Sequence, residues 1–241
     1  MKKLMLFAMV ASLLFFAGCE IKTDNPDNPV TPLSGNGLFS VSESKQVRFA
    51  LGNLEYDSIN GYSFATHQYD YGGDFGWGTG SNPTLTSTDD ADYPSFDDWG
   101  NYIGGGWRTL TGDEWYYVIW DRADASAKRG AATVCGVHGM ILLPDNWSGG
   151  TFTAGFNGWS TNVYDASSWS DMEDAGAVFL PAAGSRYGTE LDDVGAFGYY
   201  WSSTPYYEDI AYYMGFNDYG VYYYDNSYRF FGHFVRLVQD Y

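Results

Sequence analysis

An α+β domain is what this sequence predicts, and three observations predict it. Two short amphipathic helices are marked by their own caps. Short apolar runs closed by Gly and Pro lie between and after them, and the composition favours strands and turns. Of 241 residues, 30 are Gly and 20% are aromatic (16 Phe, 22 Tyr and 9 Trp), while 17% are charged. That aromatic content excludes intrinsic disorder, and the shortage of long helix formers disfavours a bundle. Asp and Glu number 30 against 12 Lys and Arg, a formal net charge of −18. Nucleic-acid binding releases counterions by placing Lys and Arg on phosphates, so a nucleic-acid partner is excluded.

The N-terminus carries its own signals. Lys2 and Lys3 precede an uncharged, mostly apolar stretch from Leu4 to Phe16, which is too short to span a bilayer and has the length of a signal-peptide core. Phe16-Ala17-Gly18-Cys19 resembles a bacterial lipobox, with Phe16 in place of the usual Leu. Residues 1–18 are expected to be a signal peptide and Cys19 the lipidated mature terminus, which makes a membrane the first partner. Residues 19–36 hold Pro26, Pro29 and Pro32 among Asp and Asn, the composition of an extended, solvated tether. Acidic residues just behind Cys19 also resemble the export signal of Bacteroidetes surface lipoproteins. The expected location is the outer membrane, facing the exterior. With Cys19 lipidated, Cys135 has no intramolecular disulfide partner, and it reads as a small core filler.

Residues 37–241 read as one domain. Lys45 to Leu51 alternates polar and apolar residues and predicts a strand. Tyr69 to Gly106 is dense in Gly, Asp, Trp and Tyr and predicts long loops pinned by aromatic rings. Thr111 with Glu114 three residues on forms a capping box. Trp115, Val118 and Ile119 then follow at helical spacing, with Arg122 completing the series. Met140–Leu143 and Ala177–Leu180 predict buried strands. A second helix is expected over Ser168–Ala175, with Trp169 and Met172 inward and Gly176 closing it. Phe234 to Val238 predicts one closing strand.

Several of these segments resemble a known family. Trp107-Arg108-Thr109-Leu110-Thr111-Gly112-Asp113-Glu114-Trp115, Gly139 to Trp147, Ala177 to Gly184, Gly198 to Thr204 and Arg229 to Val238 are similar, in order, to motifs of the Fibrobacter-type major paralogous domain of Bacteroidetes lipoproteins. That family is similar in fold to C-type-lectin-like domains and formylglycine-generating enzymes. The resemblance implies a C-type-lectin-like α+β domain with two short helices, short irregular sheets and long loops. Such a scaffold carries both enzymes and binders. The enzymes use a C-terminal Cys pair, and no Cys follows Cys135. The calcium-dependent lectins use Glu-Pro-Asn or Gln-Pro-Asp, and neither triplet occurs; Asp145-Asn146-Trp147 has a sufficient reading as a Pro-initiated turn.

Eleven of the 22 Tyr lie between Tyr199 and Tyr228. Tyr is a good strand residue, so exposed strands alone account for some of them. Runs such as Tyr206-Tyr207, Tyr212-Tyr213 and Tyr222-Tyr223-Tyr224 nevertheless face both sides of a strand, and one side must display rings. Tyr, Ser, Gly and Asn together are the alphabet of antibody paratopes. The stretch also resembles the variable segment of diversity-generating retroelement proteins, in which randomised adenines turn Asn codons into a restricted set. Tyr206, Tyr207, Asp209, Ile210, Tyr213, Asn217, Asp218, Tyr219, Tyr222, Tyr224, Asp225, Asn226, Tyr228, Phe230, Phe231 and Phe234 belong to that set. All of these except Ile210 are the candidate ligand-binding residues, for an external protein or glycan. Trp201, Arg229, Gly232, Val235 and Arg236 would be the fixed frame.

No catalytic residue, metal ligand or cofactor site is expected. His67, His138 and His233 are far apart; His138 reads as a turn residue and His233 as a hydrogen-bonded structural one. Asp89-Asp90, Asp97-Asp98 and Asp192-Asp193 read as solvated loop acids. Gly104-Gly105-Gly106 has no following Lys and is not a phosphate loop. A non-diversified surface binder, a structural surface or fimbrial component, and an enzyme of the formylglycine-generating type remain the alternatives.

Overall fold

The computed structural model of the chain describes residues 37–241. The segments expected to be a signal peptide and a tether, with Cys19 between them, lie outside the described residues. The chain first forms β1 (Phe39–Ser40), β2 (Gln46–Phe49), β3 (Leu54–Asp57), β4 (Gly61–Phe64) and β5 (Asp74–Phe75). After a long loop come α1 (Gly100–Ile103), β6 (Trp107–Arg108) and α2 (Gly112–Tyr116), which runs on as a π turn over Tyr117–Asp121. Next are β7 (Arg129–Val134), β8 (Val137–Leu142), β9 (Val163–Tyr164), α3 (Ala166–Asp174) and β10 (Val178–Pro181). The remaining strands are β11 (Ser185–Tyr187), β12 (Glu190–Asp192), β13 (Gly198–Pro205), β14 (Ile210–Asn217), β15 (Gly220–Tyr228), β16 (His233–Phe234) and β17 (Val238–Asp240). This is a mixed α+β architecture. Its three larger sheets have the orders β1-β2-β17-β6, β10-β8-β7-β9 and β15-β14-β13-β16-β5, and none closes into a barrel.

The two expected helices, α2 and α3, follow from local chemistry, and α1 is a single turn beyond them. Thr111 Oγ1 accepts from the Glu114 amide while the Glu114 carboxylate accepts from the Thr111 amide, so two orphan donors of the first turn are satisfied. Trp115, Val118 and Ile119 are buried, and Arg122 joins them, its guanidinium against Asp145 at 3.2 Å. Asp145 also accepts from the Ser40 amide and hydroxyl and from Gln46, which hold its carboxyl below the usual range despite burial. The Pro-initiated turn at Pro144 forms as expected, with the Trp147 amide on the Pro144 carbonyl.

The second helix starts two residues before the expected Ser168. Its N-cap is Asp165, which exchanges hydrogen bonds with Ser168, a capping box with Ser in the Glu position. Gly176, at φ +93°, ends it as expected, and the amides of Gly176 and Ala177 return to the carbonyls of Glu173 and Met172. Nine residues are too few for an independent helix. Burial of Trp169 and Met172 against Ile141 and Phe179, about 1.5–3 kcal/mol each, holds it.

Three expectations are corrected. Cys135 packs half-buried against the edge of a core cluster rather than filling it: with Gly136 it makes the two-residue turn between β7 and β8, at φ +49° and +83°. His138 is not in that turn but in β8, where its Nδ1 pairs with the Gly195 carbonyl at 2.8 Å and its ring stacks on Trp159. The closing strand is two strands in two sheets. β16 pairs with β13 and β5, and β17 pairs with β2 and β6.

Between them the chain crosses the core, and the crossing is held by Arg236. Its Nε donates to Asn53 Oδ1 (2.9 Å), its Nη1 to the carbonyls of Ala50 (3.0 Å) and Leu51 (2.7 Å), and its Nη2 to that of Phe179 (2.7 Å). The two Nη1 bonds lie just past the end of β2, where the Ala50 amide still donates to the Leu237 carbonyl at 2.9 Å. Burial pulls the guanidinium down to about 10, so it stays charged at neutral pH. Replacing Arg236 by Met would take the donor from four acceptors, three of them buried, and Arg236→Met is expected to cost about 2–4 kcal/mol in urea unfolding. The partly exposed Arg108, paired with Glu114 and Asp240, should cost less than about 1 kcal/mol when changed to Met.

Candidate functional site

The hairpin of β14 and β15 carries most of the candidate residues, and β15 is the free edge of its sheet. Asn217 Oδ1 accepts from the amides of Tyr219 and Gly220 and so builds the turn, which leaves Tyr219 at the tip, 79% exposed. The register then slips. Tyr213 faces Asp225 and Gly215 faces Tyr222, so Tyr223 and Tyr224 together oppose Met214 in a β-bulge. Tyr224 takes the bulge conformation at φ +51°, unfavourable for a residue with a side chain by about 1 kcal/mol. Its ring packs on Tyr116 and Tyr212 and its hydroxyl donates to Asp113, contacts that hold it there. This bond and partial burial push the Tyr224 phenol up to about 12.

Because of the bulge, two consecutive tyrosines lie on the same side, over the helix. Their rings belong to an unbroken series: Trp120 meets Tyr223 at 5.2 Å, and Tyr223 meets Tyr116 at 4.8 Å. Tyr116 continues to Tyr224 (5.5 Å), Tyr224 to Tyr212 (5.2 Å), Tyr212 to Tyr206 (4.9 Å) and Tyr206 to Tyr207 (4.3 Å). Trp120 is 43% exposed, held outward over the Arg129 guanidinium at 4.3 Å, and Tyr207 is 63% exposed. Beneath the series, Arg229 is buried over Trp77 and donates to the Tyr207 carbonyl at 2.7 Å, and Asp209 accepts the Arg229 amide through its own carbonyl. The frame residues Trp201, Val235 and Arg236 are buried too.

The other side of the hairpin shows Tyr213, Tyr222 and Asp225, with Tyr199 and Phe197 from β13 and the loop before it. Asn226 is exposed on the edge strand, and Tyr228 stacks on Phe230 at 5.2 Å. Asp218 is half-buried, and its carbonyl accepts from the Gly158 amide.

Not every candidate is on display. Phe234 is 3% exposed in the main core, where its ring meets that of the fully buried Tyr200 at 6.4 Å. Phe230 is buried, and Phe231 is half-buried against Tyr187. Phe234 is therefore corrected from ligand-binding to core, and Phe230 lies covered by the rings of Tyr187, Tyr228 and Phe231. Tyr116, Trp120, Tyr212 and Tyr223 were not among the candidates. Tyr116 and Trp120 had a signal in the sequence: aromatic residues four apart on the side of the helix away from Trp115 and Val118.

The Asp97-Asp98 pair is structural. Asp98 accepts from the amides of Gly100 and Thr109 and from the Thr109 hydroxyl, and Asp97 from the Ser81 amide and the Tyr102 hydroxyl. Among the described residues no group of three or more His, Cys, Asp or Glu is placed to hold a metal ion, and no helix is long and apolar enough to cross a membrane.

Residues 156–238 match a domain of unknown function (DUF8237). The matched stretch includes the hairpin and its frame but leaves out α2 and Trp120. No curated protein and no solved structure matches the chain.

Under the hairpin, His233 is buried among Trp201 (4.2 Å), Tyr213 (5.0 Å) and Tyr199 (5.2 Å), and only its Nδ1 has a partner, the Gly232 carbonyl. Burial pulls it from 6.5 down to about 3. Between those values the unfolded chain binds a proton that the folded one refuses, so stability falls as pH drops, by up to about 1.4 kcal/mol per unit. Urea unfolding of wild type and His233→Phe between pH 7 and pH 4.5 is expected to show this slope in the wild type and its loss in the variant.

Proposed function

We propose that the chain is a lipid-anchored outer-membrane protein whose C-type-lectin-like domain binds an external protein or glycan through the aromatic face of β14, β15 and α2. The observation that carries this reading is the seven-ring series from Trp120 to Tyr207, in which Trp120, Tyr206, Tyr207, Tyr223 and Tyr224 are exposed, the last two on the edge strand β15. Rings of this kind give large contact area at low entropic cost, and interfaces draw their energy from such anchors. The α+β architecture with its two capped helices and long aromatic-pinned loops is in keeping with a lectin-like scaffold. No step of catalysis enters the reading, since the Cys pair of the related enzymes is missing from the sequence.

Diversification of the hairpin has support of its own. Most codon-reachable positions between Tyr206 and Tyr228 reach the surface, whereas Trp201, Arg229, Gly232, Val235 and Arg236 are buried. A reverse-transcriptase gene beside a near-copy of the 3′ coding segment, differing at adenines, would establish it, and their absence would leave an invariant binder. The rival reading as a structural surface component is favoured by one observation, the open edge of β15, and polymerisation of the purified protein would support it.

Two outcomes are expected. Palmitate incorporation in cells is lost in Cys19→Ala; continued incorporation contradicts the anchor. Changing Trp120, Tyr207, Tyr223 and Tyr224 together to Ser lowers the melting temperature by only a few degrees, and abolishes binding to whichever glycans or surface proteins the wild type retains on an array. A large thermal loss would show the rings to be core.

A further inference from the structure

The groove on the opposite side of the hairpin has a chemistry of its own. It holds about 210 Å³, and its walls are the rings of Phe197, Tyr199, Tyr213 and Tyr222. Phe197 stacks on Tyr199 at 5.8 Å, and Tyr213 meets Tyr199 at 5.5 Å and 64°. Gly215 makes the floor: a Cβ there would come within 2.8 Å of the Tyr213 ring, so only glycine lets that ring lie across the strand. Asp225 stands among these rings. Its Oδ2 accepts from the Tyr213 hydroxyl at 2.9 Å and its Oδ1 from the Asn226 amide at 3.0 Å, which leaves each oxygen a second lone pair.

The site has one sign of charge. Behind the groove the Tyr199 hydroxyl donates to Asp193 at 2.9 Å, with Asp192 beside it, and no Lys or Arg is among the lining residues. Burial and then these carboxylates hold the Tyr199 and Tyr213 phenols above their ordinary value, so both rings remain neutral. Neutral rings present the negative face of their quadrupole, and a desolvated cation is attracted both to that face and to a nearby carboxylate. An anion meets repulsion here.

We infer that this groove takes an alkylammonium group, the lysine side chain of a protein partner, with the ammonium on Asp225 and the rings of Tyr199, Tyr213 and Tyr222 and the methylene stem along the aromatic wall. The inference rests on the surface-binding reading and names what one part of that surface recognises. It also gives the −18 charge of the chain a use, since a basic partner is drawn in before it docks.

The test titrates the full chain with the peptide Gly-Gly-Lys-Gly-Gly and follows the tyrosine ring resonances by NMR. Saturable shifts of Tyr199, Tyr213 and Tyr222 are expected, with no saturation for the norleucine peptide of the same shape. Asp225→Asn, which keeps the size of the side chain, should weaken binding at least tenfold, and Tyr222→Leu, which keeps an apolar wall, should do the same. Equal binding of the norleucine peptide, or unchanged affinity in Asp225→Asn, overturns the inference. So does a neutral oligosaccharide that shifts these rings when the lysine peptide does not. These failures leave the binder reading standing, because that reading falls only with the four-ring Trp120 variant on the other face.

Discussion

A single buried cation sets the geometry on which the display surface depends. Arg236 crosses from one sheet to the next with a fully desolvated guanidinium and, among the described residues, no ion pair, and it is held by three backbone carbonyls and Asn53. Carbonyl dipoles arranged around a planar fork replace the water it has lost, and each carbonyl so engaged belongs to a different stretch of chain or a bend in one. The loop after β2, strand β10 and the link between β16 and β17 are thereby fixed relative to one another. With β16 in place, β13 has a parallel neighbour on one side and offers β14 and β15 on the other.

That edge solves two problems with one irregularity. An unpaired strand edge invites pairing with another chain, and bulges, charges and twist discourage it. The bulge at Tyr223 and Tyr224 twists β15, and Asp225 and Asn226 follow it directly. The same extra residue breaks the period-two alternation of side chains, so that one tyrosine of the run joins the acidic groove while two join the rings over α2. One strand thus serves two surfaces of different chemistry, one mainly aromatic and one aromatic with a carboxylate.

How much of this was legible in the sequence follows the range of the interactions. The helix at Thr111 and the end of the helix at Gly176 were legible, because a capping box and a left-handed glycine act within a few residues. The start at Asp165 was missed because Ser168 does the work usually given to Glu. The turn at Cys135-Gly136 was missed because cysteine seldom takes a left-handed conformation. The closing strand was read as one because hydrophobicity at Phe234 to Val238 carries no mark of a change of sheet; only Arg236, the lone charge in the run, pointed to it. At the surface, the Tyr-rich composition located the hairpin but could not sort its residues. Phe230 and Phe234 share the chemistry of the displayed rings and differ from them only in neighbours. Tyr116 and Trp120 join the face from a helix more than a hundred residues before Tyr223 and Tyr224; their spacing on the helix is local, but the contact itself is not.

The central claim is that the hairpin rings are displayed and the frame is not, and hydroxyl-radical footprinting of the folded protein with mass spectrometry reads this residue by residue. Tyr207, Tyr219, Tyr222, Tyr223 and Trp120 are expected to be oxidised at the rates of open side chains, and Tyr200, Trp201 and Phe234 to be protected. Protection of the hairpin rings to the level of Tyr200 would place them in a core and contradict the account.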